Sequence, residues 1–501
     1  MHVPPSRLDD RTLALAKADV RRPSYERESL SGRIVHLGLG NFARAHLAEY
    51  IEDVLETGQR GWGMIGVSLR RPDQRYRLAP QNGLYTALQR DGSQVRPRII
   101  GCLKQVLLAP ENPSAVVDAI ASETCRIVGL TVTEKGYCFD AGSSRLDFDH
   151  PAIEADLRNP ARPRSVFGFL TAALRARREA KIPPFTVLCC DNLSENGRLL
   201  SSLLDAFVRQ QDGALADWIA HHARFPSTMV DRIVPATTEA DLAAARSTTG
   251  LVDLAPVSHE PFRQWVIEDR FVGDDRPAWE NVGAQIVSDV SAFERMKLRM
   301  LNAAHSALAY LGCLAGEHTI GMAATDPVFR KFILDLWRYE IIPVVAAPAG
   351  VDPFQYADTV LRRFDNPAIL HRTAQVASDG SQKLPVRVLG TIRERLRGGQ
   401  SISRLAHVVA AWIRYLEGTD DRGEAIGVND PFKEKLQTAL ASAGGPAEAK
   451  VAAILGFEPI FGAGLSDNDA FRKAVLGAYD AVIRCGIRDA TATLAAASSN
   501  H

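Results

Sequence analysis

The chain has 501 residues, of which 46% are hydrophobic and 24% are charged, a balance that predicts a soluble globular protein of two or three domains. Lysine plus arginine and aspartate plus glutamate both number 59, so the charge does not point to a nucleic acid or a membrane surface as a partner. No apolar stretch resembles a signal peptide at the polar N-terminus, and none reaches the length of a membrane span.

The seven cysteines are scattered, and neither a C-x-x-C pair nor an H-E-x-x-H motif occurs. This usage argues against a disulfide framework and against a structural zinc site. It predicts reduced, mostly buried thiols in a cytoplasmic protein of enzyme size.

A strand, a glycine turn and a helix follow one another within residues 34–46, after a polar arm or short docking helix in the first 30 positions. The dinucleotide-binding fingerprint G-x-G-x-x-G/A is matched here by Gly38-Leu39-Gly40-Asn41-Phe42-Ala43. Gly38 allows the tight turn, and Gly40 lets a pyrophosphate approach the helix N-terminus. The alternative interpretation is a strand–helix turn with a purely structural role.

The second apolar strand, residues 63–69, is followed by Arg70, Arg71 and Asp73. Asp73 is our candidate for holding the adenosine ribose, although it lies about 35 residues past the first glycine rather than the roughly 20 typical of such folds. Because Arg70 and Arg71 could bind a 2′-phosphate, NADP is the alternative cofactor. We favour NAD over NADP.

Further strands at 126–132 and 185–190 alternate with helical patterns, which predicts a mostly parallel, doubly wound sheet. Polar side chains follow both strands, and the carboxyl ends of parallel strands are where such sheets bind ligands. Asn192 is one of these polar residues, and turn formation or helix capping is its alternative role. Asp231 lies in a later short strand, where its alternative is a structural pair with Arg232.

The composition changes after a last strand at 265–269, and long helical patterns then dominate. We therefore predict two domains, residues 1–285 and 286–501. The predicted helices of the second are 293–314, 327–340, 386–396, 401–416, 430–442, 446–455 and 468–484.

Three polar residues share one face of the first of these helices. At about 100° per residue, Lys297, Asn302 and His305 fall within an arc of roughly 140°. An amine can accept a proton when burial lowers its pKa, and an amide can hold a hydroxyl or a developing alkoxide. The alternative is that these side chains are solvated or structural.

Polar and basic residues are dense between two helices, from Asp365 to Lys383. Such a rim suits a hydroxylated or anionic small molecule. An exposed connection between helices explains the composition equally well.

Taken together, several stretches are similar to the mannitol dehydrogenase family, the polyol-specific long-chain dehydrogenases that include fructuronate reductases. The similar stretches are 34–46, 131–137, 190–193, 229–233, 264–269 and the helix that opens at Lys297. The resemblance implies a Rossmann-type N-terminal domain followed by a mostly α-helical C-terminal domain. It also implies metal-independent hydride transfer between NAD and the secondary alcohol of an acyclic sugar.

By this resemblance Lys297 is the general base, and Asn192 and Asn302 stabilise the alkoxide-like oxygen. His305, Asp231 and Lys383 are implied to hold the substrate, and the chain is expected to act as a monomer or a weak homo-oligomer.

The resemblance gives two main candidates for the substrate and product, D-mannitol with D-fructose and D-mannonate with D-fructuronate. Mannitol-oxidising members usually have arginine where this chain has Gln375, whereas the surrounding residues are similar to the fructuronate reductase branch. Arg372 or Lys383 would then pair with a carboxylate. A non-catalytic NAD-binding sensor is the remaining alternative.

Overall fold

The computed structural model describes residues 6–140 and 145–496 and divides the chain into two units, Met1–Ser291 and Ala292–His501. The first unit contains the strands of the described residues, and the second is helical. The domain boundary that we predicted, 285/286, falls within strand Gln285–Val287 of the first unit.

A five-stranded parallel sheet forms the centre of the first unit, in the order β5-β2-β1-β6-β9. The chain leaves β1 toward β2 on one side, and β6 lies on the other side, so the strand order reverses between β1 and β6. The strands β1 to β13 of the described residues are Ser31–Leu37, Trp62–Ser68, Tyr85–Asp91, Gln94–Ile100, Leu103–Leu108, Ile127–Leu130, Phe139–Asp140, Arg145–Leu146, Thr186–Cys189, Thr228–Asp231, Val257–His259, Gln264–Glu268 and Gln285–Val287.

Apolar side chains cover both faces of this sheet, as parallel strands require. Val35, Val128 and Val187 pack in one cluster, while Ile34 and Leu188 pack in another on the opposite face. The helices α1 to α9 of the first unit are Asn41–Ala45, Leu47–Glu56, Asp73–Leu78, Pro113–Ala121, Pro151–Arg158, Val166–Glu179, Asn196–Arg209, Gly213–His222 and Glu239–Thr249. The predicted doubly wound α/β fold is confirmed.

Three small sheets surround the central one: β10-β12-β13, β11-β3-β4 and β7-β8. The antiparallel hairpin of β3 and β4 was not predicted from the sequence. It turns at Gly92-Ser93, where Gly92 has φ 55°. A Gly-Ser pair between two strands is a hairpin signal, because glycine accepts a positive φ without strain.

The N-terminal arm docks on the first unit, as far as its described part from residue 6 shows. Leu8 donates its N–H to Val252 O at 2.9 Å, and Leu8, Val20, Leu84 and Ile99 share a small buried cluster. Residues 1–5 lie outside the described part.

The second unit is a helical assembly around α11 and α18, whose residues are almost all buried. Among the described residues, three π-helical segments, 297–302, 337–341 and 385–389, interrupt its helices. The first residue of α10, Ser291, lies in the first unit. The helices α10 to α23 are Ser291–Met296, Ala303–Ala315, Ile320–Thr325, Pro327–Leu336, Pro353–Phe364, Thr373–Ala377, Gly380–Leu384, Gly390–Arg397, Ser403–Leu416, Lys433–Ala443, Ala447–Leu455, Glu458–Phe461, Ala463–Ser466 and Asp469–Ala496.

The helical character predicted for this half is confirmed, with two differences. The polar stretch from Asp365 to Lys383, interpreted as a loop, contains α15 and most of α16. The predicted helix 468–484 continues as α23 to Ala496, with a kink at Gly486, where φ is 79°.

Six of the seven cysteines are buried, Cys485 is exposed, and all seven are free thiols. Over residues 6–140 and 145–496, no helix combines the length and the apolarity that crossing a membrane would need.

Candidate active site

The glycine turn at the end of β1 adopts a conformation that only glycine fits. Gly38 has φ 92°, and a Cβ there would lie 2.1 Å from Thr131 O. The turn is held by the N–H groups of Gly38 and Leu39, which both donate to Val67 O, at 2.9 and 3.1 Å. It therefore lies at the carboxyl ends of β1, β2 and β6, where such sheets bind ligands.

Gly40 differs from Gly38, because its missing side chain leaves open space. It precedes the first residue of α1 with φ −101°, and a Cβ there would meet only Gly38 O, at 3.9 Å. An alanine would thus fit the fold, yet it would narrow the approach to the N–H groups at the start of α1. This geometry fits a phosphate-bearing ligand at the turn.

The next two residues, Asn41 and Phe42, support the turn from within the unit. Asn41 donates to Pro235 O at 3.2 Å and to Thr237 Oγ1 at 3.1 Å, and its Oδ1 accepts from Arg44 at 2.8 Å. Phe42 stacks on His46, with ring centroids 4.9 Å apart. In this structure both side chains brace the helix N-terminus.

His36 and Thr131 tie β1 to β6 directly behind the glycine turn. Thr131 Oγ1 donates its proton to Gly38 O at 2.7 Å. The hydroxyl oxygen of Thr131 is therefore the acceptor in its contact with His36 Nε2 at 2.8 Å. Burial lowers the pKa of His36 to about 3, so the ring is neutral and carries its proton on Nε2.

Asp73 is exposed at the first position of α3, five residues beyond the end of β2. Ser68, by contrast, is the last residue of β2 and is 6% exposed. Its hydroxyl has no hydrogen-bond partner in the part of the chain that the structure describes. Sequence reasoning missed Ser68, because the strand predicted over residues 63–69 ends one residue later than β2 does.

Asp191 fastens the loops that follow β6 and β9. Its carboxylate accepts from Val132 N at 2.9 Å, from Thr133 N at 3.0 Å and from Tyr137 OH at 2.6 Å. Thr133 has φ 65°, which is a strained backbone conformation for a β-branched residue. The hydrogen bonds to Asp191 can hold the backbone in this conformation. Asn192, the predicted oxyanion residue, directly follows this carboxylate and is exposed.

Asn196 serves as a structural tie rather than a site residue. Its amide donates to Asp191 O at 3.0 Å and to Thr228 O at 2.9 Å, and its Oδ1 accepts from Thr228 N at 2.9 Å. It thereby holds the end of β9 against the start of β10.

Asp231 ends β10 and is 4% exposed. Its neighbour Arg232 pairs with Glu49 and donates to Glu260 O at 3.2 Å. Although burial alone would raise it, the electrostatic and hydrogen-bond contributions of the neighbouring His259 and Arg232 hold the pKa of Glu49 well below its usual value.

Lys297, Asn302 and His305 are all buried in the second unit, with 6%, 6% and 8% of their surfaces exposed. Lys297 and Asn302 are the first and last residues of a π-helical segment, and α11 follows it. The uniform α-helix predicted over 293–314 is therefore wrong at the residues of interest.

His305 lies against two other rings, Phe364 at 5.2 Å and His371 at 4.7 Å between centroids. His305 Nε2 and His371 Nδ1 are buried and have no hydrogen-bond partner within the described residues. Burial, then the charge of Lys383, lowers the pKa of His371 to about 4. Two neutral imidazoles thus offer free polar atoms to a ligand.

Cationic side chains surround this pair of rings. Burial is the main cause that holds the pKa of His305 well below its ordinary value; the neighbouring His371 and the charges of Arg387, Arg363 and Lys383 add to it. Such a field attracts an anionic group.

The two predicted carboxylate contacts differ in their surroundings. Lys383 donates to Val376 O at 3.2 Å and to Ser378 O at 2.5 Å, so it braces the turn between α15 and α16. Arg372 precedes α15 and is exposed.

Comparison with known proteins links both units to one family. The family model of the mannitol dehydrogenase Rossmann domain matches residues 32–281, and that of the mannitol dehydrogenase C-terminal domain matches residues 289–483.

Relatives are similar over nearly the whole chain. A D-mannonate oxidoreductase of Escherichia coli is 43% identical, over 96% of this chain and 100% of its own length. A mannitol 2-dehydrogenase of Pyricularia oryzae is 39% identical, over 95% of each chain.

A solved structure of Pseudomonas fluorescens mannitol 2-dehydrogenase, a ternary complex with NAD and D-mannitol, superposes with a TM-score of 0.90. It is 37% identical and covers 97% of this chain and 99% of its own. A D-sorbitol dehydrogenase in substrate-free form follows with a TM-score of 0.84 and 32% identity, over 97% of this chain and 100% of its own. The fold, the family models and these relatives agree, and the chain belongs to the mannitol dehydrogenase family.

Proposed function

We propose that this protein is an NAD-dependent dehydrogenase that interconverts an acyclic polyol, or the corresponding aldonate, with its keto sugar. The observation that carries the proposal is the buried row of an amine, an amide and an imidazole on one helix, at Lys297, Asn302 and His305. Few structural reasons exist to bury three such groups together, because each loses hydration on burial.

The glycine turn of the first unit supports NAD as the cofactor. Gly38 and Gly40 would hold the pyrophosphate, with Asn41 and Phe42 behind them, because a Cβ at Gly40 would fill space that the fold leaves open. Ser68 and Asp73 are the candidates for contact with the adenosine ribose. When bound, NAD would accept a hydride from the carbinol carbon.

The chain's own residues would then handle the proton and the charge. Lys297 takes the hydroxyl proton of the substrate, a role that burial favours because it penalises the charged form of an amine. Asn302, together with Asn192, donates to the oxygen as negative charge develops, a contribution of roughly 3 kcal/mol per donor in comparable sites. His305 and Asp231 hold neighbouring hydroxyls.

The first substrate candidate is the pair D-mannitol and D-fructose. The Pseudomonas fluorescens structure, a complex with D-mannitol, and the fungal relatives named mannitol 2-dehydrogenase support it.

The second candidate is the pair D-mannonate and D-fructuronate, which one specific observation favours. Arg363, Lys383 and Arg387 lie close enough to His305 for their positive charges to lower its pKa, and positive charge at this place suits a carboxylate-bearing substrate. The Escherichia coli relative named D-mannonate oxidoreductase adds to this support. Arg372 and Lys383 are then the first carboxylate contacts to test.

The deciding experiment follows NADH oxidation by the purified protein with D-fructose and D-fructuronate in parallel, with NADPH as the cofactor control. A preference of more than about tenfold, roughly 1.4 kcal/mol of transition-state discrimination, assigns the substrate pair. NADH binding without turnover of either sugar, or of further keto sugars, would instead favour the sensor. Sedimentation of the same sample tests the proposed monomer or weak homo-oligomer.

A further inference from the structure

The helix that carries Lys297 is not an α-helix at its functional residues. Ala303 N–H points to Leu298 O, five residues earlier, and to Met300 O. An α-helix would instead pair it with Arg299 O, four residues earlier. The segment 297–302 is therefore a π-helical turn, a feature found frequently at functional sites.

This turn changes which side chains face the same way. Lys297 and Asn302 are five residues apart, which in an α-helix separates them by roughly 140°. A hydrogen bond from residue i+5 to residue i brings such residues to roughly the 40° that separates residues four apart in an α-helix. The π-helical turn thus sets the amine and the amide on one side of the helix.

Two other π-helical segments, 337–341 and 385–389, pack against this turn. The first residue of one segment, Trp337, is 1% exposed and donates its indole N–H to Met300 O at 3.0 Å. From the other segment, Arg387 donates to Ser306 Oγ at 3.0 Å and to Asn302 O at 3.4 Å. The backbone carbonyls of the turn thus accept donors from both neighbours.

The indole N–H of Trp337 has a hydrogen-bond partner, whereas those of the buried Trp265, Trp279 and Trp412 have none among the described residues. Trp412 lies in the core of the same unit and is 0% exposed, yet its Nε1 has no hydrogen-bond partner within the described residues. Packing of the ring therefore does not by itself require a partner for the N–H. The contact with Met300 O is the feature that distinguishes Trp337.

We propose that Trp337 is a positioning residue for hydride transfer, whose indole N–H holds the π-helical turn and so aligns Lys297 with Asn302. The proposal rests on the function proposed above. Trp337 acts through the backbone at Met300, so its loss should affect the chemical step more than substrate binding.

The test compares Trp337→Phe with Trp412→Phe, which makes the same change at an indole N–H that has no partner within the described part of the chain. For Trp337→Phe we expect kcat to fall about tenfold or more, with the KM of the sugar changed less than about threefold. The acidic limb of its pH–rate profile for polyol oxidation should shift, because the proton acceptor has moved. Trp412→Phe should retain kcat within about twofold and the wild-type profile.

Equal losses of kcat in the two variants, or an unchanged kcat in Trp337→Phe, would overturn the proposal. If Trp337→Phe fails to fold, incorporation of 3-benzothienylalanine at position 337 removes the N–H and keeps the double ring. The same kcat and pH readouts then decide the question.

A crystal structure of Trp337→Phe separates this proposal from the proposed function. Pairing of Ala303 N with Arg299 O, four residues earlier, would support the role of Trp337 even if the wild type turned over no sugar. An unchanged π-helical turn would overturn that role even in an active dehydrogenase.

Discussion

Lys297 is the residue at which the proposed proton transfer takes place, and its replacement is the most direct test of mechanism. Methionine has nearly the same length and apolar volume but accepts no proton. We expect Lys297→Met to lower kcat/KM by about 10²–10⁴-fold, the range that a positioned general base contributes. NADH binding, measured by fluorescence titration, should be unchanged, because Lys297 lies outside the glycine turn.

Lys331→Met is the matched control for this variant. Lys331 is exposed in the second unit and pairs with Asp335 of its own helix at 2.8 Å. Lys331 is not among the residues proposed to act on the substrate or the cofactor, so kcat/KM should stay within about twofold of the wild type. Turnover retained by Lys297→Met with cofactor bound would contradict the general-base assignment.

The identities of the candidate site residues were easier to predict from the sequence than the directions in which their side chains leave the helix. The buried row of Lys297, Asn302 and His305 was selected by helical spacing alone. The angle between the side chains of Lys297 and Asn302 could not be predicted from spacing, because the π-helical turn depends on tertiary partners such as Trp337, which is distant in sequence. Ser68 was not predicted as a site residue for a related reason: only the observed end of β2 distinguishes it from the residues around it.

The strand–turn–helix element at 31–45 allows a test that separates nucleotide binding from folding. Gly40 has an ordinary φ of −101° and open space at its Cβ position. We expect Gly40→Ala to leave the free energy of unfolding within about 0.5 kcal/mol, as for most substitutions without a clash. It should weaken NADH binding at least about tenfold, because the methyl group blocks the pyrophosphate approach. Urea unfolding and fluorescence titration provide the two measurements.

Gly38→Ala is the contrasting variant in the same turn. Its φ of 92° and the contact at 2.1 Å with Thr131 O make an alanine unfavourable in the fold itself, so both stability and binding should fall. If Gly40→Ala bound NADH as tightly as the wild type, the turn would be purely structural.

Elements with local signals were predicted well, and elements defined by distant contacts were not. The apolar strands β1, β6 and β9 and the long helices follow from periodicity. The short helices α15 and α16 lie in a stretch too polar to show that periodicity.

Across the whole molecule, buried histidines link the stability of both units to pH. Burial lowers the pKa of His36 and His46 to about 3 and of His371 and His407 to about 4. The unfolded chain, with a histidine pKa near 6.5, then binds protons that the folded chain does not. Stability from these groups is complete above pH 6.5 and is lost as the pH falls toward 4.

Two buried carboxyl groups have the opposite effect on the pH dependence of stability. Burial raises the pKa of Glu52 and Asp253 above their ordinary values, so their contribution grows as the pH falls. The histidine contribution is therefore best isolated as a difference between the wild type and a variant that lacks one buried imidazole.

His407 is suited to this comparison because it joins α18 to α23. Thr491 Oγ1 donates to Ile487 O at 2.6 Å, so His407 Nε2 donates to Thr491 Oγ1 at 2.9 Å. His407→Gln keeps a donor at the same place and removes the titration. Between pH 7.5 and 5.5, the wild type should lose about 1.3 kcal/mol more of its free energy of unfolding than the variant, from pKa values of 6.5 unfolded and about 4 folded.

Equilibrium urea unfolding at the two pH values measures this difference, and His222→Gln, the same substitution at an exposed histidine, is the matched control. Parallel pH dependence in the wild type and His407→Gln would mean that the folded protein takes up the proton at His407. In that case the proton would be taken up at Nδ1, because Nε2 already donates to Thr491, and the packing around the ring would yield locally before the unit unfolds.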